Sequence, residues 1–287
     1  MLYELVKEVE SRISISGVLK ELKISTSGYY DWKRRKPSKQ LIKKTKIKEK
    51  IKEIHEDSHK IYGAPKITKI LNQRGHNIAL RTVSTYMQEE GIRAHYRKPY
   101  TATTINSNFS MKLKNILKRD FNPEKPNSIW CSDITYIWTE RSFVYLISII
   151  DLYSRRIIAW EVTDSLSVSG VISCVNKAKK KRNLDKPIIV HSDRGKQYTS
   201  QAYKEALGKG FIRSYSRKAN PWDNACIESF HSLIKREWLN RYYFRNITDV
   251  RKAVFEYIEV FYNRKRIHGS IDYMTPLKYE QQYFAAN

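Results

Sequence analysis

In "IIVHSDRGKQYTS" (188–200) an apolar run stops at Asp193, which sets a carboxylate at the mouth of an expected strand. Such a charge is costly to bury unless something pairs with it or binds it. Two more acids raise the same question. Asp133 lies in "CSDITYI", whose alternation of polar and apolar residues is that of a half-buried strand. Glu228 lies in "DNACIESFHSLIKREW", where Ile227, Phe230, Ile234 and Trp238 form the buried stripe of a helix. Asn224, Glu228, His231 and Lys235 fall on another face, at intervals of four, three and four residues. Three carboxylates brought together would repel, and one would take up a proton unless cations neutralised them. Hard oxygen donors of this kind suit Mg²⁺ or Mn²⁺. Two such ions ~3.5–4 Å apart activate an attacking hydroxyl and stabilise the leaving oxygen of a phosphodiester.

Taken singly, each acid has a plainer reading. Asp193 with Arg194 fits a turn and an ion pair, Asp133 a buried aspartate bonded to backbone, and Glu228 one more exposed helix acid. Three further acids are set aside. Asp223 opens the helix and reads as its N-cap. Glu237 lies nine residues past Glu228, half a turn away at ~100° per residue. Asp151 ends a strand and reads as a turn residue.

The elements that must position these acids follow from the pattern. "IWCSDITYIWTERSFVYLISIIDLYSRRIIAWEVT" is rich in Ile, Val, Tyr and Trp, with turn signals near Thr139–Arg141 and Tyr153–Arg155, and predicts three antiparallel strands. A helix ("SVSGVISCVNKAKKKR"), the strand "PIIVHS", a helix ("SQAYKEALGKG") and the short strand "FIRSYS" follow, and the tail from Asp223 is almost wholly helical. This order predicts a mixed α/β sheet with helices on its faces. If the first and fourth strands are neighbours, Asp133 and Asp193 converge at their ends, and Glu228 arrives from a helix.

The charge names the partner class. With 54 Lys and Arg against 29 Asp and Glu, a net of +25, the chain is built for a polyanion, nucleic acid before a membrane surface. The longest apolar run, "FVYLISII", is far short of the ~20 residues of a spanning helix. "LYELVKEVE" after Met1 is neither a signal nor a transit peptide, so a cytoplasmic protein is expected. Cys131, Cys174 and Cys226 have no zinc-site spacing and read as small buried residues.

The first half is the more basic, and its pattern is helical. "SISGVLKELKISTSGYYDWKRRK" outlines a helix-turn-helix with Val18, Leu19 and Leu22 as its apolar face and Ser25 as an N-cap; Ser27, Tyr30, Lys33 and Arg34 are offered to a groove. A second such unit lies in "GAPKITKILNQRGHNIALRTVSTYMQEEGI", its helices carrying Ile67, Ile70 and Leu71, then Val83, Tyr86 and Met87, and ending at Gly75 and Gly91. Arg81 is its expected DNA contact. The polar stretch around "KPYTATTINSNFS" reads as a linker.

Four stretches in order, "WCSDITYI", "HSDRGKQYTS", "SRKANPWDNACIESFHSLIKREW" and "YNRKRIHGSIDYMTP", resemble the B-frame transposases of a large group of bacterial insertion sequences, within the retroviral-integrase superfamily. The resemblance runs from about residue 40 to the end. It implies a ribonuclease-H-like integrase core, a mixed five-stranded sheet with flanking helices, preceded by an all-α helix-turn-helix region. The expected domains are a helix-turn-helix-like segment at 1–40, a second helical unit at 41–95, a linker at 96–125, and a catalytic core with a helical tail at 126–287. Asp133, Asp193 and Glu228 match the family's metal-binding catalytic carboxylates, with two Mg²⁺ (or Mn²⁺) ions implied. The spacing of 34 residues between Asp193 and Glu228 is one fewer than the family usually has.

The resemblance implies that Asn224 and Lys235 face the DNA end; His231, Arg194, Lys196 and Arg266 are further expected DNA contacts. Asn263, Arg266 and His268 match the tail motif, whose role is backbone contact or packing. The activity implied is metal-dependent cleavage of the ends of a mobile element and transfer of the freed strand into target DNA. Expected partners are double-stranded DNA (terminal inverted repeats and target), further copies of the chain, and the upstream-frame protein or a fusion with it, in a nucleoid-associated bacterial setting. The rival readings are a non-catalytic DNA-binding regulator and a ribonuclease-H-like nuclease.

Overall fold

The computed structural model describes residues 2–9, 14–95, 113–182, 184, 187–217 and 220–286. They fall into two compact units, Met1–Glu53 and Ile54–Asn287. The first holds α1 (Leu2–Val9), α2 (Ile15–Glu21), α3 (Thr26–Arg34) and most of α4 (Lys39–Asp57). Its small core is Val6, Leu19 and Tyr29. Ser25 caps α3 as expected, its hydroxyl accepting from the Gly28 amide at 3.3 Å. Leu22, expected on the apolar face, is 46% exposed instead.

The second unit opens with a helical pair, α5 (Ala64–Gln73) and α6 (Leu80–Glu89), packed through Ile67, Leu71, Val83 and Met87. Gly75 and Gly91 end the two helices at φ of 83° and 65°, a conformation open to a residue without a Cβ. The approach to α5 is fastened to the tail of the chain. The Tyr62 hydroxyl donates to the Lys265 carbonyl at 3.2 Å and accepts from the Ile267 amide at 2.9 Å. The His59 ring stands edge-on to Trp238 and Phe261, at 4.8 and 5.4 Å.

The sheet comprises β1 (Ile129–Trp138), β2 (Phe143–Asp151), β3 (Ile157–Thr163), β4 (Ile188–Ser192) and β5 (Phe211–Tyr215), ordered β3-β2-β1-β4-β5. The first three are antiparallel, while β4 and β5 run parallel to β1. This is the expected mixed five-stranded sheet, and β1 does lie beside β4. On one face α7 (Val168–Lys181) buries Val171, Cys174, Val175 and Ala178 against Ile147 and Ile149 of β2. The short α8 (Lys196–Thr199) and α9 (Gln201–Leu207) add Tyr198, Tyr203 and Leu207 to that core. Next along β2, Ser148 points the other way and meets His231, so α10 (Ala225–Glu237) covers the opposite face.

The tail is α11 (Ile247–Phe255), a π-helical stretch Glu256–Tyr262, and α12 (Pro276–Ala286). Glu280 of α12, 3% exposed, takes hydrogen bonds from Ser154, Arg156 and Arg182. The linker expectation needs correction at its end. Of 96–125, residues 96–112 lie outside those described, whereas 113–117 dock on the core: Ser214 accepts from the Ile116 and Leu117 amides, and Leu117 is buried. Two apolar side chains there, Leu113 and Leu117, carry the signal that the polar composition obscured.

Candidate active site

β1 and β4 pair in parallel register as far as Cys131 and His191. Two residues beyond that pair stand Asp133, still on β1, and Asp193, just past the end of β4. His191 is a core residue: its two ring nitrogens meet the Ser214 and Ser216 hydroxyls at 2.8 and 3.0 Å, and burial lowers its pKa to about 4. Asp193 follows at the open end, where the Gly195 amide donates to its Oδ1 at 2.9 Å. A Cβ on Gly195 would fall 3.0 Å from that oxygen, so glycine allows the loop to wrap the carboxylate.

Asp133 faces α10. The His231 Nδ1 stands 3.3 Å from its Oδ2, and the Nε2 meets the Ser148 hydroxyl at 3.2 Å. Ser148 is the register partner of Asp133 on β2. The polar residue inside "FVYLISIIDL" was the available clue. Glu228 sits in the first turn of α10, on the exposed side opposite Ile227, Phe230 and Ile234.

Two of the acids sense their neighbours. Crowding by protein, then repulsion from Asp133, pushes Asp193 up to about 6, although its surface is open to water. Desolvation, then Asp133 and Asp193, pushes Glu228 up to about 7. Among the described residues the cationic side chain that senses this group is Lys235, which feels the charge of Asp133. Among the described residues, no three His, Cys, Asp or Glu side chains form a ready cage for an ion. The donor set nevertheless fits a hard divalent cation, which takes one or two carboxylates and completes its shell with water and phosphate oxygens.

The other expected site residues divide. Lys196 is exposed at the start of α8, and the Lys235 ammonium lies 4.4 Å over the Tyr136 ring. Asn224 occupies the N-cap position of α10, 2% exposed, with both side-chain polar atoms lacking a partner. Tyr30, Lys33 and Arg34 are exposed on α3. Arg81 is exposed on α6, on one stripe with Ser84, Thr85 and Gln88.

Two expected DNA contacts, His231 and Arg266, are corrected. His231, 5% exposed, is enclosed between Asp133 and Ser148. Arg266, 5% exposed, gives Nε and Nη2 to the two oxygens of Glu237, which also receives the Tyr257 hydroxyl. Arg194 gives Nε and Nη2 to the backbone carbonyls of Ser216 and Leu113. The tail motif is packing: Asn263 pairs with both the amide and the carbonyl of Ile157, at 3.0 Å each, and His268 lies buried against Tyr262. Glu237 lies off the site as expected.

Asp223 is no helix cap; that position belongs to Asn224. The Asp223 carboxylate, fully buried, takes Nε and Nη2 of Arg217, the Arg217 amide, Arg119 and Asn115. Asp151, buried at the end of β2, accepts from the amides of Asn127 and Tyr153, the turn role expected of it.

An integrase core domain matches residues 123–221 and again 210–276, and an HTH-like domain matches 43–100. The transposase for insertion sequence element IS904 of Lactococcus lactis is 35% identical over 86% of this chain and 98% of its own length. The chain belongs to the insertion-sequence transposases. Transposase InsF of insertion sequence IS3A from Escherichia coli is 30% identical over 99% of this transposase and 100% of its own length. Among solved structures, the HTLV-2 integrase catalytic core in complex with magnesium overlays it with TM-score 0.43 at 19% identity, covering 55% of this chain and 98% of that one. A chain of the simian T-cell lymphotropic virus intasome bound to PP2A regulatory subunit B56 gamma gives TM-score 0.47 at 17% identity, covering 80% and 74%. Among the described residues of the transposase, no helix is long and apolar enough to cross a membrane.

Proposed function

We propose that Asp133, Asp193 and Glu228 are the catalytic acids with which this transposase cleaves the ends of a mobile DNA element and joins the freed 3′ end to target DNA. The observation that carries this reading is the parallel register of β1 and β4, which ends two residues before Asp133 and Asp193 and so brings the two acids to one place. In a chain of net +25, two of these acids are pushed up to about 6 and about 7, with repulsion inside the trio contributing to both shifts. Mg²⁺ or Mn²⁺ held by these acids supplies Lewis-acid activation of the attacking oxygen and stabilisation of the leaving one. The chain's own residues do the rest. Gly195 orients Asp193, His231 orients Asp133, and Lys196 and Lys235 offer ammonium groups to backbone phosphates. The unpartnered amide of Asn224 bonds the DNA end. On α6, Arg81, Ser84, Thr85 and Gln88 form the stripe that enters a groove and reads the terminal repeat. Synapsis of two ends requires more than one copy.

The rival reading, a non-catalytic DNA-binding regulator, is favoured by the lack of a ready three-ligand cage among the described residues. A nicking assay on a labelled duplex carrying the element's end separates the two. Cleavage that needs Mg²⁺ and disappears in Asp193→Asn, with DNA affinity kept, is the expected result. Undiminished cleavage by that variant removes the assignment, and absence of cleavage by the wild type under Mg²⁺ and Mn²⁺ favours the regulator.

A further inference from the structure

β1 extends past its partnership with β4. Only Ile129, Trp130 and Cys131 pair with that strand, so among the described residues the same edge from Ser132 to Trp138 has no strand beside it. Tyr136 and Trp138 point to one face of this overhang, and Phe143 stands opposite Trp138 in register. The three rings are 54%, 55% and 45% exposed. Phe143 meets Tyr136 and Trp138 edge-on, with centroids 5.3 and 4.7 Å apart. The hairpin beneath them is closed by the Thr139 amide and hydroxyl, both donating to the Ser142 carbonyl at 2.9 and 2.7 Å. Its turn carries one acid and one base, Glu140 and Arg141, so the cation that distinguishes the patch is Lys235, 4.4 Å over the Tyr136 ring.

Single exposed aromatics need no explanation, but a contiguous cluster does. This one lies on the strand that carries Asp133, about 10 Å along at Tyr136 and about 17 Å along at Trp138, at ~3.3 Å per residue. Asp133 points to the other face of the pleat. A ligand touching both must therefore pass round the edge of β1, which is the edge left free. Resting on the strand-transfer reading above, we infer that Tyr136, Trp138 and Phe143 form a stacking platform for unpaired bases of the DNA strand whose phosphate lies at Asp133. Aromatic rings stack on any base, and an interleaved ammonium neutralises the backbone between them. The net charge of +25 favours this polyanion over an apolar protein partner. At ~3.4 Å per stacked nucleotide the platform lies about three to five nucleotides from the reacting phosphate.

The test uses the full chain with Trp138→Ser, Phe143→Ser and, as a fold-conserving control, Trp138→Phe. Three probes of one sequence are compared: a single strand, a blunt duplex, and a duplex with unpaired terminal bases carrying 2-aminopurine at the fourth position. The serine variants are expected to bind the single-stranded and frayed probes about five- to tenfold more weakly and to lose 2-aminopurine quenching, while blunt-duplex affinity changes less than about twofold. Trp138→Phe retains both signals. Unchanged single-strand affinity, or equal loss on all three probes, overturns the proposal. So does a fall in self-association by sedimentation with single-strand affinity kept, which makes the patch a contact between copies. Failure of the strand-transfer reading is seen separately, as cleavage that survives Asp193→Asn.

Discussion

His231 stands 3.3 Å from Asp133 through Nδ1, without the direction of a hydrogen bond, and 3.2 Å from the Ser148 hydroxyl through Nε2. Its ring thus joins α10, which carries Glu228, to β1 and β2 at the level of Asp133. On the proposed reading His231 orients a metal-binding carboxylate, and groups in that role contribute about 10- to 100-fold to activity. His231→Ala is expected to lower the cleavage rate by that much with the KM for DNA unchanged, and His231→Gln to recover part of it. Single-turnover kinetics checks the split. A rise in KM with the rate constant kept would return His231 to the DNA contacts.

The raised carboxyls predict a pH-dependent stability. Ionising an acid whose folded pKa is raised costs stability. For Asp193 and Glu228 the cost begins above their ordinary 3.8 and 4.5 and is complete above about 6 and about 7. Protein treated with chelator should therefore lose melting temperature across that window. Glu228→Gln should lose less, and added Mg²⁺ should restore the wild type most at the alkaline end. Thermal melts across the range measure all three.

Asp223 should show the opposite sign. Its hydrogen bonds to Arg217, then to Arg119, hold its carboxyl well below the ordinary 3.8. The stability it contributes is present above that value and is lost as pH falls through the lower folded one. Asp223→Asn should cost about 1–2 kcal/mol at neutral pH, screened because both arginine side chains are partly exposed. The difference from wild type should close in acid, which denaturant titrations at two pH values will report.

Arg266 separates packing from DNA contact. Removing one partner of a buried ion pair costs about 3–5 kcal/mol, because the other charge is stranded. Arg266→Met should destabilise by that order in urea, while the folded fraction keeps wild-type affinity and salt dependence for duplex DNA. A lower salt slope at unchanged stability would reinstate the phosphate contact.

The sheet was readable because its signals are local. Alternation in "CSDITYI" and the turn residues around Thr139 and Arg155 outline β1 to β3, and Arg155 does take a positive φ of 61°. The adjacency of β1 and β4 was legible only as a condition, since pairing across some sixty residues leaves no trace in spacing. The helix face bearing Asn224, Glu228, His231 and Lys235 was visible, but not its division. Glu228 looks outward, whereas His231 is buried on Ser148, a difference set by how α10 crosses β2. Asp223 and Arg266 misled for one reason. A charged residue beside a helix end or in a basic tail suggests solvent, and only the fold shows Arg217 or Glu237 brought against it.

The clamp made by Tyr62 on the peptides of Lys265 and Ile267, together with the pair Arg266–Glu237, has a consequence for inheritance. One short stretch, Lys265 to Ile267, secures both the approach to the early helical pair and the helix that carries Glu228. A copy cut short by a stop codon ahead of it is expected to leave Glu237 a buried charge without its arginine, at a cost of about 3–5 kcal/mol to the second unit.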